Sequence, residues 1–275
     1  MNTFSIIMPI AENRVEQGAR AIRSVLNQQY PHFELIVVND FSGDETAEMI
    51  EGFRQLDKRV KVVTHSQSMN RAISRNDGMD MAENDWICWL DSDDEYVSHY
   101  LRELDKAIKD FPEYKIFNFP SMVYYPDHRW HLRETFYPKI EGNGHEWFPS
   151  GRIGSGSFIF RRDLWNSDKK YRIPDEQSPY AFAANSGIDM KFPPNHTING
   201  DLVEGPSEMA FKDKKMRVGI SLGNPWGDDY LQCYLLTRDN HMKPLDIPLY
   251  IQYPWTSEND YEYFRTHLHC HYNLA

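Results

Sequence analysis

The sequence has few cysteines and no long apolar run, and both absences limit the class of protein. Of its 275 residues only three are cysteine, an odd number spread along the chain at Cys88, Cys233 and Cys270. Such a set does not form a disulfide framework, so we expect reduced thiols. No apolar stretch approaches the roughly 20 residues of a membrane-spanning helix. The start of the chain also lacks the basic and then apolar pattern of a signal peptide. Together these absences predict a cytoplasmic protein without a transmembrane segment.

Positive charge is in the minority. The chain carries 30 Lys and Arg against 41 Asp and Glu, a formal net charge of −11. A surface with this balance repels phosphate backbones, which disfavours broad binding to nucleic acid and leaves only a local basic groove open. Aromatic residues make up 14% of the chain, which is typical of a packed core and not of a disordered protein. Nothing in the composition fixes an oligomeric state.

Short apolar runs alternate with longer amphipathic stretches in the first 120 residues. The runs predict strands over 4–8, 33–38, 60–63, 86–90 and 115–119, and the stretches predict helices over 14–29, 42–56, 70–82 and 98–109. This alternation indicates an α/β fold with a mainly parallel sheet flanked by helices. Ligands of such sheets bind beyond the carboxyl ends of the strands. The segments to examine for a site are therefore 9–13, 39–42 and 91–95.

The pattern changes after about residue 120. Glycine, proline, asparagine and aromatic residues become frequent, and regular signals return only as a predicted helix over 228–236 and a predicted strand over 245–253. We expect one continuous domain in two halves, with residues 1–120 binding a ligand at the sheet and residues 121–275 forming a smaller lobe.

Four acidic residues follow the fourth predicted strand directly: Asp91, Asp93, Asp94 and Glu95. Two carboxylates about 5 Å apart at an effective dielectric of about 20 repel each other by roughly 3 kcal/mol. A divalent cation removes this repulsion, and hard oxygen ligands suit Mg²⁺ or Mn²⁺, which also bind phosphates. An acidic cap on the helix predicted near Ser98 explains the same residues through the helix dipole. Spacing alone leaves both explanations open.

Six segments of the first hundred residues carry a family resemblance. They are Ile6–Pro9, Ser24–Gln28, Phe33–Asp40, Ser42–Thr46, Ser74–Gly78 and Trp89–Asp94. In this order and at these separations they resemble the nucleotide-sugar-binding half of family 2 glycosyltransferases. The resemblance implies the Rossmann-like GT-A fold and an enzyme that uses Mn²⁺ or Mg²⁺. Such an enzyme moves a sugar from a nucleoside-diphosphate sugar, with a UDP-sugar expected first, to a hydroxyl acceptor.

The resemblance also implies roles on the sugar-donor side. Asp40 matches the acid that accepts a hydrogen bond from the nucleotide base. Residues 91–93 match the D-x-D motif, in which Asp93 binds the metal and Asp91 holds the metal or the ribose. Arg75 matches a residue beside the donor pocket, although a structural ion pair with nearby acids is an equally open reading. The remaining residues expected to contact the donor are Pro9, Ile10, Glu12, Asn70 and Ser92.

The sequence departs from the family pattern in three places. Residues 9–12 read Pro-Ile-Ala-Glu where the family commonly has Pro-Thr-Tyr-Asn, so the aromatic ring that often lies near the base is absent. Asn39 replaces the first acid of the usual Asp-Asp pair, and Asn70 stands where glycine is common. These departures leave an alternative open, namely an inactive nucleotide-sugar-binding module of the same fold.

A second acidic pair lies in the C-terminal half. Asp228 and Asp229 follow Trp226 and precede an apolar stretch, which resembles the family's Glu-Asp motif at a helix start. The resemblance implies that Asp229 takes the proton of the acceptor hydroxyl in an inverting transfer. Helix capping by either aspartate is the alternative. The residues expected to contact the acceptor are Ser155, Gly156, Trp226 and Asp228. A saccharide, a lipid-linked sugar, a protein and a modified nucleic acid all remain possible acceptors.

Overall fold

The computed structural model describes residues 1–11, 14–69, 71–124, 130–133, 155–165, 196–198, 201–203, 236 and 240–253. Its helices are α1 (Val15–Leu26), α2 (Asp44–Leu56), α3 (Arg71–Met81) and α4 (Tyr100–Asp110). Its strands are β1 (Phe4–Ile10), β2 (Phe33–Asn39), β3 (Val60–Thr64), β4 (Trp86–Trp89), β5 (Glu95–Tyr96), β6 (Ile116–Asn118), β7 (Ser121–Tyr124), β8 (Trp130–Arg133), β9 (Phe158–Arg161), β10 (His196–Ile198), β11 (Asp201–Val203), β12 (Met242–Pro244) and β13 (Tyr250–Gln252).

A seven-stranded sheet with the order β12-β6-β9-β4-β1-β2-β3 forms the centre of the fold. The strands β4, β1, β2 and β3 run parallel, and only β9 is antiparallel to its neighbours β4 and β6. Every residue of β2 is buried, as expected for a central strand with helices on both faces of the sheet. The predicted mixed, mainly parallel α/β fold is confirmed.

Helix α3 lies very close to the sheet because of a glycine. A Cβ atom added at Gly78 would overlap the Cγ2 methyl of Ile7 in β1 and come within 3.2 Å of Val38 in β2. Glycine is a poor helix former, yet here its missing side chain allows the helix to approach the strands. Packing therefore explains why the helix predicted over 70–82 continues through Gly78.

The first strand extends further than its sequence predicts. The end of the strand predicted over 4–8 is wrong, because β1 continues through Pro9 to Ile10 and pairs there with Asn39 of β2. The Leu90 amide donates to the Ile7 carbonyl. The odd-numbered residues of β1 therefore direct their backbone N–H and C=O groups toward β4. The ladder with β4 has ended by Pro9, so the N–H group that proline lacks is not needed there.

The turn between β2 and α2 also differs from the sequence pattern. Ser42 and Glu45 have the spacing of a capping box, but α2 begins after Gly43 without a side-chain capping hydrogen bond. The Ser42 hydroxyl instead donates to Asn39 Oδ1 at 2.6 Å, and the Ser42 amide donates to the same oxygen at 2.9 Å. The Asn39 side chain thus fixes the loop at the carboxyl end of β2.

A second sheet has the order β5-β13-β7-β8. Strand β13 is antiparallel to β5 and parallel to β7, and it lies within the longer strand predicted over 245–253. The helix predicted over 228–236 lies outside the described residues except for its last position. Cys88 is a buried free thiol. Within the described residues, no helix combines the length and the apolarity that crossing a membrane requires.

Candidate functional site

The carboxyl ends of four parallel strands, β3, β2, β1 and β4, lie side by side at one edge of the main sheet. The Asp40 amide donates to the Ile10 carbonyl at 2.8 Å, which ties the ends of β1 and β2 together. On the other side of β1, the chain leaves β4 and enters residues 91–94, which we call the acidic turn. This edge therefore brings together two of the three segments that the sequence selects, 39–42 and 91–95, beside the end of β1.

The acidic turn presents two of its carboxylates outward and buries the third. The Asp94 amide donates to the Asp91 carbonyl at 3.0 Å, which closes the turn. The side chains of Asp91 and Asp93 are 30% and 29% exposed, whereas Asp94 is buried. Ser92 is also buried. Asp91 and Asp93 are thus the members of the turn that can reach a ligand.

Asp91 forms an ion pair with a buried arginine. Arg75, on α3, is fully buried and donates from Nη2 to Asp91 Oδ1 at 2.9 Å. Its guanidinium also lies 5.9 Å from the centre of the Trp89 ring. The ion pair that the sequence left open for Arg75 is present, and a contact of Arg75 with a sugar donor stays a prediction.

Asp93 is paired with an arginine from the start of α1. The Arg14 Nη1 atom lies 2.6 Å from Asp93 Oδ2, and the two side chains are 35% and 29% exposed. Arg20 donates to the backbone carbonyl of Asp93 at 2.7 Å and pairs with Glu95 at 2.9 Å. Helix α4 begins at Tyr100 without a side-chain capping hydrogen bond. The partners of Asp93 and Glu95 in the structure are therefore arginines and not the start of a helix.

Asp94 points into the protein. It accepts a hydrogen bond from the Tyr253 amide at 3.0 Å. Burial raises the pKa of the Asp94 carboxyl well above its ordinary range, and the nearby Asp93 and Asp91 carboxylates raise it further. Asp94 contributes to the conformation of the turn and does not face the open edge.

Asp40 is fixed by hydrogen bonds at the end of β2. Its Oδ1 atom accepts the Met69 amide at 2.6 Å and lies 2.8 Å from His65 Nδ1, and its Oδ2 accepts the Ser68 hydroxyl at 3.2 Å. The other ring nitrogen of His65 lies 2.8 Å from Asp77 Oδ2 on α3. The Asp40 side chain is only 5% exposed. The base contact stays a prediction.

The other sequence-predicted residues fall into two groups. Ile10 is buried, and Gly156 lies in the 3₁₀ turn Ser155–Ser157 that precedes β9. A Cβ atom at Gly156 would overlap the ring of Tyr250, so this glycine is packed against an aromatic side chain. Outside the described residues lie Glu12, Asn70, Trp226, Asp228 and Asp229.

The structure adds residues that the sequence reasoning did not select. His65 follows β3 directly, so the rule that pointed to the ends of the other strands also applies to it. Phe41 follows Asp40, is 61% exposed and has a φ of 58°, in the left-handed region that non-glycine residues rarely adopt. Arg14 had a signal too, as the residue that follows segment 9–13. Tyr250 lies 159 residues after Asp91, and no local signal could have connected them.

The donor atoms at the acidic turn suit a small divalent cation. In the part of the chain that is described, no three His, Cys, Asp or Glu side chains are arranged to hold a metal ion. Mg²⁺ and Mn²⁺ at phosphate sites, however, are commonly held by one or two carboxylates, with substrate phosphates completing the coordination. The partly exposed Asp91 and Asp93 provide those two carboxylates, so the turn fits this kind of site.

Comparisons with known proteins identify the family and confirm the fold. The sequence model described as Glycosyl transferase family 2 matches residues 5–167, more than half of the 275 residues. A Haemophilus influenzae protein named as an uncharacterized glycosyltransferase is 43% identical over 96 residues, which is 34% of this chain and 37% of that relative. The match thus spans little more than a third of the relative's length.

Solved structures show the same architecture. Residues 1–349 of TarS from S. aureus, in complex with UDP-GlcNAc, match with a TM-score of 0.58 and 17% identity over 94% of this chain and 60% of that one. The mannosyltransferase PcManGT from Pyrobaculum calidifontis, in complex with GDP-Man and Mn²⁺, matches with a TM-score of 0.57 and 12% identity over 97% of this chain and 62% of that one. At these identities the likeness shows the fold alone, which is the predicted GT-A fold. The family match covers most of the described core, and the chain belongs to glycosyl transferase family 2.

Proposed function

We propose that this protein is a divalent-cation-dependent, inverting glycosyltransferase. It takes a sugar from a nucleoside-diphosphate sugar, a UDP-sugar as the first candidate, and transfers it to a hydroxyl acceptor. The observation that carries this proposal is the acidic turn at the carboxyl edge of the sheet. There Asp91 and Asp93 face outward while buried Arg75 holds Asp91.

The ligands of the structural neighbours support the choice of sugar donor. TarS was solved with UDP-GlcNAc and PcManGT with GDP-Man and Mn²⁺. Both ligands are nucleoside-diphosphate sugars, and a diphosphate needs positive charge that an acidic turn does not itself provide. A divalent cation held by Asp93 would meet this need.

Each residue has a separate task in the proposed reaction. Asp93 binds the cation, and Asp91, fixed by Arg75, orients the cation or the ribose. A bound cation stabilises the charge of the departing diphosphate. The acceptor oxygen forms a bond to the anomeric carbon as the bond to the diphosphate breaks, and the electron pair leaves with the diphosphate. Asp229 takes the proton of the acceptor hydroxyl.

The test compares Asp93 with Asp57. Each of these aspartates pairs with an arginine, and the two pairs lie at opposite ends of the parallel strands. Asp93→Asn keeps the shape of the side chain and removes its charge. Asp57→Asn is the matched control, because Asp57 pairs with Arg59 at 2.7 Å just before β3 begins. UDP affinity with and without Mn²⁺ is measured by calorimetry, and donor hydrolysis is measured alongside.

We expect Asp93→Asn to lose both the Mn²⁺-dependent gain in UDP affinity and donor hydrolysis, while Asp57→Asn keeps them. Unchanged turnover in Asp93→Asn would refute the metal role. Asp229→Asn should lose transfer and keep UDP affinity. A fall in UDP affinity for that variant would show that the assignment of the base is wrong.

A further inference from the structure

The C-terminal strand β13 lies directly against the acidic turn. It pairs antiparallel with β5, which begins at Glu95 immediately after the turn. Tyr253, the residue that follows β13, donates its amide to Asp94 and its hydroxyl to Glu95, the latter at 2.7 Å. Its ring also stacks under Arg20, whose guanidinium carbon lies 3.8 Å from the ring centre. A segment more than 150 residues away in sequence thus supports the turn.

Tyr250 makes the central contact of this segment. It is fully buried, and its hydroxyl accepts a hydrogen bond from the Asp91 amide at 3.1 Å. The Asp94 carboxyl lies beside the same hydroxyl. One phenol group therefore lies between the first and last residues of the acidic turn.

The position of the Tyr250 ring is fixed by its neighbours. The ring packs against Tyr96, with 5.8 Å between the ring centres. On another side it occupies the space beside Gly156 where a Cβ atom would lie. Gly156 is thus required for this ring position, independently of any contact with an acceptor.

We propose that Tyr250 is a positioning residue for the acidic turn, and through the turn for the cation and diphosphate. It sets the backbone of Asp91 and the side chain of Asp94, and the outward direction of Asp91 and Asp93 follows from that conformation. The second part of this inference rests on the proposed function, whereas the first part concerns the turn alone.

Within the part of the chain that is described, the Tyr250 hydroxyl accepts the hydrogen bond of the Asp91 amide. Tyr250→Phe keeps the ring packing, but it leaves this amide without its partner and removes the polar group beside the Asp94 carboxyl. A buried polar group without a partner is costly, so the turn is expected to open more often. Tyr30→Phe is the matched control, since its hydroxyl donates to the Asn2 carbonyl at 2.7 Å, away from the turn.

Two measurements separate the two parts of the inference. Amide hydrogen exchange, followed by mass spectrometry without any ligand, reports the conformation of residues 90–95. Calorimetry with Mn²⁺ and UDP reports the binding that depends on it. We expect Tyr250→Phe to accelerate exchange in residues 90–95 and to weaken Mn²⁺–UDP binding, each by about tenfold. Residues 33–39 should exchange at the wild-type rate, and Tyr30→Phe should change neither measurement at the turn.

A second variant should also remove the Tyr250 hydroxyl from the acidic turn, by moving the ring. Gly156→Ala leaves the Tyr250 hydroxyl in the sequence but displaces the ring that carries it, so it should reproduce both effects. Wild-type exchange at residues 90–95 in both variants would overturn the positioning role. Faster exchange with unchanged Mn²⁺–UDP affinity would overturn its link to binding. A wild-type protein that binds no UDP with Mn²⁺ would contradict the proposed function, while the exchange data would still decide the positioning role.

Discussion

At the scale of single residues, Arg14 should compete with a metal ion for binding to Asp93. Its guanidinium lies 2.6 Å from Asp93 Oδ2, so a cation that binds Asp93 must replace or share this ion pair. We expect Arg14→Ala to bind Mn²⁺ alone up to about fivefold more tightly, the range for a partly exposed ion pair.

Electron paramagnetic resonance of Mn²⁺ measures this affinity without nucleotide or turnover. Arg54→Ala is the control, because Arg54 pairs with Glu51 on the surface of α2. An equal or weaker Mn²⁺ affinity in Arg14→Ala would contradict the competition and indicate that Arg14 supports the metal.

Glu34 makes folding stability depend on pH at the opposite end of β2. Burial alone would raise the pKa of Glu34, but hydrogen bonds from Lys61, Ser5 and the Glu83 amide outweigh burial and lower the pKa below its ordinary 4.5. A carboxyl with a lowered folded-state pKa contributes stability above its ordinary pKa and loses it as the pH falls.

We expect Glu34→Gln to lower the free energy of unfolding by about 1–3 kcal/mol at pH 7. The difference from wild type should shrink as the pH falls below 4.5, the ordinary pKa of a glutamate, because wild-type Glu34 then takes up a proton too. Urea denaturation at several pH values measures this. A difference that stays constant down to pH 3 would contradict it, and exposed Glu51→Gln should change stability little at any pH.

The site residues from the first half of the chain could be predicted, because they directly follow strands. Asp40 and residues 91–93 follow β2 and β4, and in a parallel sheet these ends share one edge. The partners of these residues were less predictable. Arg14 and Tyr250 contact the acidic turn through tertiary packing, and neither has a sequence spacing that relates it to the turn.

At the scale of elements, the approach of α3 to the sheet positions Arg75. Gly78 lies one turn after Arg75, and its missing side chain lets the helix contact Ile7 and Val38. We expect Gly78→Ala to lower the free energy of unfolding by about 1–3 kcal/mol, since overpacking outweighs the better helix propensity of alanine.

Gly52→Ala on α2 should have the opposite effect. Among the described residues, no heavy atom outside the adjacent backbone of α2 lies within 4 Å of the position its Cβ would take, so alanine should stabilise the protein by about 0.5–1 kcal/mol. Thermal unfolding of both variants provides the measurement. A rise in Tm for Gly78→Ala as well would contradict the close packing of α3.

The elements of the first half were largely predictable, because apolar runs and amphipathic stretches are local signals. The predicted end of β1 was wrong, because Pro9 interrupts the strand only if β4 still pairs with β1 at that residue, and the pairing has already ended there. The second sheet could not be predicted, since β13 pairs with β5 and β7 across long stretches of sequence. Such pairing depends on the whole fold and not on the residues of one strand.

At the scale of the whole molecule, an acidic protein is proposed to bind an acidic ligand. The net charge of −11 works against a nucleoside diphosphate, and the acidic turn adds to this repulsion locally. A divalent cation reverses the local sign, so the central claim is that binding of sugar donor requires the cation at the turn.

The most direct test is a crystal soaked with Mn²⁺ and UDP and measured at a wavelength where manganese scatters anomalously. The account predicts an anomalous peak about 2.2 Å from a carboxylate oxygen of Asp93, a typical distance for such a cation, with the diphosphate on its other side. Ordered UDP elsewhere in the protein, or UDP at this edge with no anomalous peak beside Asp93, would contradict the account.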